Sequence, residues 1–262
     1  MLVATFNCNS VRQRLGIILD WLAKYEPDAL ALQETKCTDA DFPAEAFAQA
    51  GWQAFYRGEK SYNGVAWITR KKPDAISFGL QDGKDDKANT SETRFVHLEL
   101  AGVHLLNAYV PQGQDLDSPK FQFKLAWLAR LRQYLEKRLD PRQDRVLWVG
   151  DLNVAPTPID VHDSKAIWPH VCHCQEVVDA FAAVTSWGFE DVFRKHLSEA
   201  GTYTFWDYRV PNAVARNIGW RIDHVLATAP LAAKSRELFV DLEPRQKDKP
   251  SDHTFVAVRF GH

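Results

Sequence analysis

The chain of 262 residues carries 32 Lys and Arg against 34 Asp and Glu, and its formal net charge of −2 excludes a polycation that binds nucleic acid by overall charge. A hydrophobic content of 45% is ample for a layered core and excludes a disordered chain, while no apolar run approaches the length of a membrane span. Four cysteines do not form a disulfide framework in a chain of this length, so we expect one soluble domain over residues 1–262 in a reducing compartment.

The first part of the chain predicts alternating strands and helices. Residues 2–6 form a short apolar strand, residues 11–24 carry aliphatic side chains at helical spacing, and residues 29–33 form a second buried strand. Because a core strand already begins at the second residue, we expect no signal peptide and a cytoplasmic location. A helix is predicted next at 42–50, followed by antiparallel strands at 52–56, 64–69 and 75–78 and a polar loop at 81–91.

A hairpin and the longest helix follow. Residues 94–100 and 103–109 alternate between apolar and polar side chains and are joined by Ala101-Gly102, which is a hairpin signal. Residues 120–139 predict a helix with leucines on one stripe and basic residues, among them Lys124 and Arg130, on the other faces. Later strands are predicted at 203–208, 221–228, 235–242 and 254–260, and helices at 175–187 and 191–196. These elements predict helices packed outside β-sheets.

Polar side chains stand at the ends of several predicted strands. The apolar run at 146–154 reaches Gly150 and then presents Asp151 and Asn153, which strand alternation places on one face. Alone, such a segment is more often a turn with Asx hydrogen bonds. Groups of the same kind stand at five other points of the chain: Asn7, Glu34, Tyr109, Asp223 with His224, and Asp252 with His253.

These side chains share one chemistry. Carboxylates, amides and a histidine, without a nucleophilic Ser or Cys in a suggestive context, are typical of metal-assisted attack of water on a phosphoester. Oxygen ligands favour a hard cation, Mg²⁺ or Mn²⁺. Any one of the acids could be an ordinary turn residue, but that interpretation is improbable for all six points together.

Four motifs resemble, in order and across nearly the whole chain, the exonuclease III family of abasic-site endonucleases within the endonuclease/exonuclease/phosphatase superfamily. They are LQETK at 32–36, GDLN at 150–153, GWRID at 219–223 and PSDH at 250–253. The second and fourth motifs are shared by the superfamily, whereas the first and third point to its DNA-repair branch. The resemblance implies a four-layered α/β sandwich, two packed mixed β-sheets flanked by helices, with the site at one edge.

The resemblance also implies a metal site. Glu34 is expected to be the principal ligand, and Asp252 with Asn7 or Asn9 is expected to complete or support the site.

The same resemblance assigns the catalytic roles. Asp151 would orient or deprotonate the attacking water, and Asn153 would hold that water and a phosphate oxygen. His253 paired with Asp223 would stabilise the charge on the phosphorane, and Tyr109 would donate to the phosphate or the leaving oxygen. We favour Asp151 as the general base, because a histidine kept protonated by a carboxylate is better suited to electrostatic stabilisation.

Substrate contacts are expected beside the catalytic residues. Phe205, Trp220 and Ile222 resemble an apolar pocket that accepts a flipped-out deoxyribose lacking its base and would clash with an attached base. The remaining expected DNA contacts are Asn9, Arg94, Gln112, Lys120 and Arg209. The implied partner is duplex DNA with abasic sites or blocked 3′ ends, bound by a monomer that needs no membrane and no obligate protein partner.

The leading hypothesis is therefore a divalent-metal-dependent DNA repair nuclease that cuts 5′ to abasic sites, with 3′–5′ exonuclease and 3′-end-cleaning activity. The alternatives are a paralogue specialised for 3′ ends with weak abasic-site incision, a phosphoinositide or sphingomyelin phosphodiesterase, and a non-catalytic DNA-binding protein. A pure binder has no use for a cluster of acids near phosphate. Cys172-His173-Cys174 is a weak zinc signature, because it lacks a second cysteine pair.

Overall fold

Two six-stranded β-sheets form the centre of the computed structural model, which describes residues 1–85 and 90–261. The strands are β1 (Leu2–Asn7), β2 (Ala29–Gln33), β3 (Gln53–Arg57), β4 (Val65–Thr69), β5 (Ala75–Phe78), β6 (Phe95–Leu100), β7 (Val103–Ala108), β8 (Val146–Asp151), β9 (Phe189–Asp191), β10 (Asp223–Thr228), β11 (Ser235–Asp241) and β12 (Phe255–Phe260). The α-helices are α1 (Val11–Tyr25), α2 (Ala44–Gln49), α3 (Pro119–Arg138), α4 (Ser164–Ile167), α5 (Gln175–Thr185), α6 (Val192–His196) and α7 (Ala229–Ala232). Short 3₁₀ helices lie at Asp39–Asp41, Pro158–Asp160 and Glu243–Gln246.

Both sheets are mixed. The strand order is β11-β12-β1-β2-β4-β3 in the first sheet and β5-β6-β7-β8-β10-β9 in the second. The pairs β1–β2 and β7–β8 are parallel, and the other neighbours are antiparallel. The predicted hairpin is present, with positive φ at both Ala101 and Gly102, as a two-residue primed turn requires.

Apolar side chains fill the space between the sheets and under the helices. Val3 and Trp67 of the first sheet meet Leu105, Val149 and Val225 of the second in one buried cluster. Helix α1 covers the outer face of the first sheet, and helices α3 and α5 cover that of the second. The four layers predicted from the sequence, helix, sheet, sheet and helix, are therefore confirmed.

Strand direction brings the predicted site residues to one edge of this sandwich. Strands β1 and β2 run in parallel and end at Asn7 and Gln33, immediately before Glu34. In the second sheet, β8 ends at Asp151, which pairs directly with Asp223 at the start of antiparallel β10. Strand β12 begins two residues after His253 and runs antiparallel to β1.

Two strand predictions need correction. Residues 203–208 are not a strand: the backbone N–H of Phe205 bonds to Trp220, whereas that of Trp206 bonds to Asp252, so the segment changes partner instead of forming a ladder. Strand β8 ends at Asp151, and Asn153 has a φ of 51°, so strand alternation does not explain its direction. The three-residue strand β9 was not predicted, because it is too short to show a period.

The predicted surface of the longest helix is also partly wrong. Lys124 and Arg130 are both buried. Arg130 forms an ion pair with Asp82 at 2.7 Å and one with Asp85 at 2.6 Å. The helical period places a side chain on a face but does not show which polar groups of other segments meet that face.

Other sequence expectations concern the cysteines, membrane spans and the polar loop. The four cysteines are free and buried. No helix in the described ranges combines the length and apolar character needed to cross a membrane. Residues 86–89 of the predicted loop at 81–91 lie outside the described residues.

A buried ion network fixes the start of β10. The guanidinium of Arg221 is 2.6 Å from Asp160 and 2.9 Å from Asp191, and Arg194 also pairs with Asp160. Asp160 and Arg221 have at most 1% of their surface exposed, so neither charge can be solvated by water if the pair is broken. The network positions residues 220–223, which include three predicted site residues: Trp220, Ile222 and Asp223.

We expect Arg221→Met to lower the free energy of unfolding by about 3 kcal/mol, because it leaves Asp160 buried with only one cationic partner. Urea denaturation measures this loss. Arg142→Met, which changes an exposed arginine, is the matched control, and equal stability of the two variants would contradict the assignment.

Candidate active site

A cavity of about 200 Å³ opens at the edge where these strands end. It is lined by eleven predicted site residues: Glu34, Tyr109, Gln112, Asp151, Asn153, Phe205, Arg209, Trp220, Ile222, Asp252 and His253. The lining also includes His170, Cys172 and Asp207, which were not predicted as site residues. The residues predicted at the strand ends therefore line a single cavity.

The other predicted site residues lie behind or beside this lining. Asn7 and Asp223 are buried beneath it. Asn9 donates a hydrogen bond to Asp252 at 3.0 Å. Arg94 stacks over the ring of Tyr109 at 5.0 Å. Lys120 is exposed on the first turn of α3 and does not line the cavity.

Asn7 connects the two sheets at this edge. Its side-chain nitrogen donates to Glu34 Oε1 and to Asp151 Oδ2, both at 2.8 Å. Lys36 pairs with the other oxygen of Glu34 at 2.7 Å. Burial alone would raise the pKa of Glu34, but Lys36 and Asn7 together lower it, so this carboxylate is ionised at neutral pH.

Unusual backbone conformations direct the side chains of Glu34 and Asn153. Glu34 and Asn153 both have a φ of 51°, a region that costs a non-glycine residue roughly 1 kcal/mol or more. Gly150 has a φ of 137°, and a Cβ atom there would overlap the carbonyl oxygen of Ala108 on the neighbouring strand. A glycine is therefore required immediately before Asp151.

His253 lies between two carboxylates. Its Nδ1 is 2.8 Å from Asp223 Oδ2, and its Nε2 is 3.7 Å from Asp151 Oδ2. Burial alone would lower the pKa of His253, but the two carboxylates outweigh burial and raise it to about 10. The imidazolium is therefore charged at neutral pH and is a hydrogen-bond donor at both nitrogens.

Asp151 is buried and acts as a weak acid. Burial raises the pKa of its carboxyl to about 7; His253 opposes this shift, whereas Asp223 and Glu34 add to it. A carboxylate whose pKa lies near neutrality accepts a proton more readily than an ordinary aspartate does. Burial, with Glu34 and Asp151, also raises the pKa of Tyr109 well above its usual value, so its phenol keeps its proton.

Lys124 holds the loop that carries Asn153. Its ammonium donates to the carbonyl oxygens of Asn153 and Val171 at 2.6 Å and of Gln112 at 3.2 Å. The three donors of the ammonium are thus matched by three acceptors from three segments of the cavity wall. The sequence contained no signal for this role, because all three partners are backbone groups.

Apolar side chains form the other wall of the cavity. Phe205 makes backbone bridges with both Trp220 and His253, and its ring centroid is 4.8 Å from that of His253. Ile222 packs with Phe205 and Trp220 in a small buried cluster. The ring of His170, which the sequence did not identify, lies 4.9 Å from that of Trp220.

The histidines near this wall are structural. Nδ1 of His173 is hydrogen-bonded to the carbonyl oxygen of Ala155 at 2.7 Å, and its Nε2 is hydrogen-bonded to the hydroxyl of Ser164 at 2.8 Å. His224, which follows Asp223, is turned away to the carbonyl of Val154 at 2.7 Å. Both nitrogens of His173 are occupied, which agrees with the weak zinc signature of its segment.

The donor set fits a hard divalent cation. Glu34, Asp151 and His253 each offer a ligand atom, and these atoms lie within 4.8 Å of one another. In the described part of the chain, Oδ1 of Asp223 is buried without a hydrogen-bond partner, so negative charge here is incompletely neutralised. The carboxylate oxygens are the preferred ligands, because a protonated His253 cannot bind a cation.

We expect Asp223→Asn to lower the pKa of His253 below about 10 in the chelator-treated protein, because the charge that raises it most is removed. The imidazole NMR resonances of His253, followed from pH 6 to 11, measure this shift. Asp74→Asn removes an exposed carboxylate outside the cavity and should leave the midpoint unchanged. An unaltered midpoint in Asp223→Asn would show that this pair does not control the proton.

Comparison with known proteins agrees with this geometry. The model of the endonuclease/exonuclease/phosphatase family matches residues 4–253. Exodeoxyribonuclease III of Haemophilus influenzae is 31% identical, over 98% of this chain and 98% of its own. An AP endonuclease from Archaeoglobus fulgidus has a TM-score of 0.95 at 42% identity, covering 100% of both chains. A 3′ phosphatase from Neisseria, solved with a product DNA hairpin, has a TM-score of 0.91 at 35% identity, again over 100% of both chains.

The fold, the catalytic edge and the four motifs thus agree with one family over the length of the chain. The protein belongs to the endonuclease/exonuclease/phosphatase family and, within it, to the exonuclease III group of nucleases.

Proposed function

We propose that this nuclease hydrolyses the phosphodiester 5′ to abasic sites in duplex DNA and also removes nucleotides and blocking groups from 3′ ends. The observation that carries the proposal is the composition of the cavity. The groups suited to phosphate chemistry, Glu34, Asp151 and His253, share one space with the apolar wall of Phe205 and Trp220. A baseless sugar fits such a wall, and an attached base would clash with it.

Each catalytic residue of the cavity has a separate role in hydrolysis. Asp151 accepts a proton from water as the water oxygen attacks phosphorus, and Asn153 orients that water. The cationic His253 stabilises the negative charge that builds on the phosphoryl oxygens. Tyr109 keeps its proton and donates a hydrogen bond to the phosphate or to the leaving 3′ oxygen as its bond to phosphorus breaks.

The family depends on divalent metal ions, and we assign the ion of this chain to Glu34, with Asp252 and Asn7 in support. Glu34 and Asp252 line the same cavity, and Asn7 donates a hydrogen bond to Glu34. Mg²⁺ or Mn²⁺, when bound there, supplies positive charge that polarises the phosphate and favours ionised carboxylates nearby. Asn7 orients Glu34 and Asp151 through its amide, whichever ion is used. Oxygen ligands bind these hard ions in preference to softer ones.

The DNA backbone is expected to meet the rim of the cavity. Gln112 and Arg209 line it and are exposed, so both are available to phosphates. Asn9 and Arg94 are half-buried beside the lining residues Asp252 and Tyr109, and Lys120 is exposed on α3. We propose a monomer that works in the cytoplasm and on the nucleoid. Binding that relies on phosphate contacts weakens steeply as salt rises.

A paralogue specialised for 3′ ends is the second candidate. Its support is the likeness to a Neisseria 3′ phosphatase, at 35% identity over the whole chain. A phosphoinositide or sphingomyelin phosphodiesterase is less well supported, because the cavity wall is aromatic and not a polar headgroup site. A non-catalytic binder is disfavoured by the intact cluster of Glu34, Asp151 and His253.

A duplex carrying one abasic site tests the main proposal. With Mg²⁺ the protein should incise 5′ to that site, an intact duplex should not be cut internally, and a chelator should abolish incision until Mg²⁺ is restored. A parallel duplex with a 3′ phosphate measures the second candidate activity. Rapid 3′ phosphate release with no abasic incision would replace the main proposal by the second candidate.

We expect Asp151→Asn to reduce kcat by about 10²–10⁴-fold while DNA affinity changes little, because the variant loses the proton acceptor and keeps the shape of the site. Single-turnover cleavage and fluorescence anisotropy with the abasic duplex separate the two quantities. Asp74→Asn, at an exposed aspartate, is the control. Normal cleavage by Asp151→Asn would remove this residue from the mechanism.

A further inference from the structure

A second group of metal-ligating side chains lies away from the active site, on the β6–β7 hairpin. His97, Glu99 and His104 each offer a ligand atom, and these atoms lie within 4.8 Å of one another. Glu99 and His104 stand beside the hairpin turn, whereas the catalytic cavity lies at the opposite ends of these strands. The proposed nuclease reaction uses none of the three.

The sheet places the three side chains on one face. Glu99 and His104 are directly opposite each other across the antiparallel pair, and His97 precedes Glu99 by two residues. Alternation therefore directs all three toward helix α3. His97 is 8% exposed, so the site is buried on one side, whereas Glu99 and His104 are more open to solvent.

The distances agree with those between ligands of a small metal ion. His97 Nε2 and His104 Nδ1 are 3.0 Å apart, and His104 Nδ1 is 3.6 Å from Glu99 Oε1. Ligand atoms about 2.0–2.1 Å from a tetrahedral ion are about 3.3 Å from each other. Both measured separations are close to that value.

A hydrogen bond behind His97 fixes the ring for metal binding. The hydroxyl of Tyr134 lies 2.8 Å from His97 Nδ1, and the ring of Tyr134 packs edge-on against Phe95 at 5.0 Å. When Nδ1 carries the proton and donates it to this hydroxyl, Nε2 presents a free lone pair to the ion.

The surroundings leave room for a further ligand. A cavity of about 320 Å³ adjoins the three residues and reaches the last turn of α3, whose carbonyl groups favour a cation. Arg138, a cationic residue of the lining, is stacked over Tyr134 at 4.7 Å and hydrogen-bonded to Gln81 at 2.8 Å. Water in this cavity can complete a four-coordinate site.

We propose that His97, Glu99 and His104 bind Zn²⁺, or a transition-metal ion of similar preference, and that this ion fastens the β6–β7 hairpin to α3 through Tyr134. Two nitrogens and one carboxylate suit Zn²⁺ and are poor ligands for Mg²⁺. The site is thus distinct in chemistry from the oxygen-rich cluster around Glu34. Its role is structural, and the Mg²⁺-dependent reaction does not require it.

Metal titration of the chelator-treated, full-length protein tests this site. In excess Mg²⁺, we expect one equivalent of Zn²⁺ to bind at the hairpin and to raise Tm by on the order of 5 °C at about a hundred times Kd. Co²⁺ in the same site should give the visible absorption of a tetrahedral ion with nitrogen ligands. His104→Asn and Glu99→Gln should each remove this equivalent, and both change partly exposed side chains.

Two control variants make the result specific. His162→Asn changes an exposed histidine, and Glu34→Gln removes the expected catalytic ligand; both should keep the hairpin equivalent. His104→Asn should retain wild-type cleavage in Mg²⁺ alone. If the bound Zn²⁺ is lost only in Glu34→Gln, or if no stoichiometric binding occurs, the proposal is overturned and His97 and His104 are only a hydrogen-bonded pair.

Discussion

The amide of Asn7 is the interaction on which the catalytic edge depends. It donates from the end of β1 in the first sheet to Glu34 of the same sheet and to Asp151 of the second sheet, at 2.8 Å each. The face-to-face packing of the sheets brings these carboxylates together, and their mutual repulsion in a buried setting must be offset by fixed donors. At this edge of the sandwich, therefore, a hydrogen-bonded amide joins the two sheets and charge is concentrated.

That concentration of charge gives neighbouring groups different acid–base properties. His253 is kept protonated by Asp223 and Asp151, whereas Asp151 is made a better proton acceptor by burial. The carboxylates that attract a divalent cation thus also keep His253 cationic, so that it can stabilise charge, while Asp151 is able to act as the base. On the hairpin, by contrast, two imidazoles and one carboxylate form the donor set, and a different class of ion is favoured.

Buried cations away from the reaction hold this edge in place. Lys124 joins three backbone segments around Asn153, and Arg221 ties the start of β10 to Asp160. Neither role was predicted. In the sequence, Lys124 is one of several basic residues on a helix, and Arg221 is only part of a motif. Their partners are backbone carbonyls or an acid about sixty residues away, and such partners leave no periodic signal in the sequence.

The sequence by itself determined the order of most strands and helices, the packing of helices outside β-sheets and the set of polar residues at strand ends, because side-chain periodicity and turn residues are local properties. The four layers were implied by the resemblance of its motifs to a known family. It also identified eleven of the residues that line the cavity. Only the tertiary structure decided that residues 203–208 cross the site as an irregular segment, that His170 joins the apolar wall, and which groups are ionised. Those outcomes depend on contacts between distant segments and on burial, and both exist only once the two sheets have packed together.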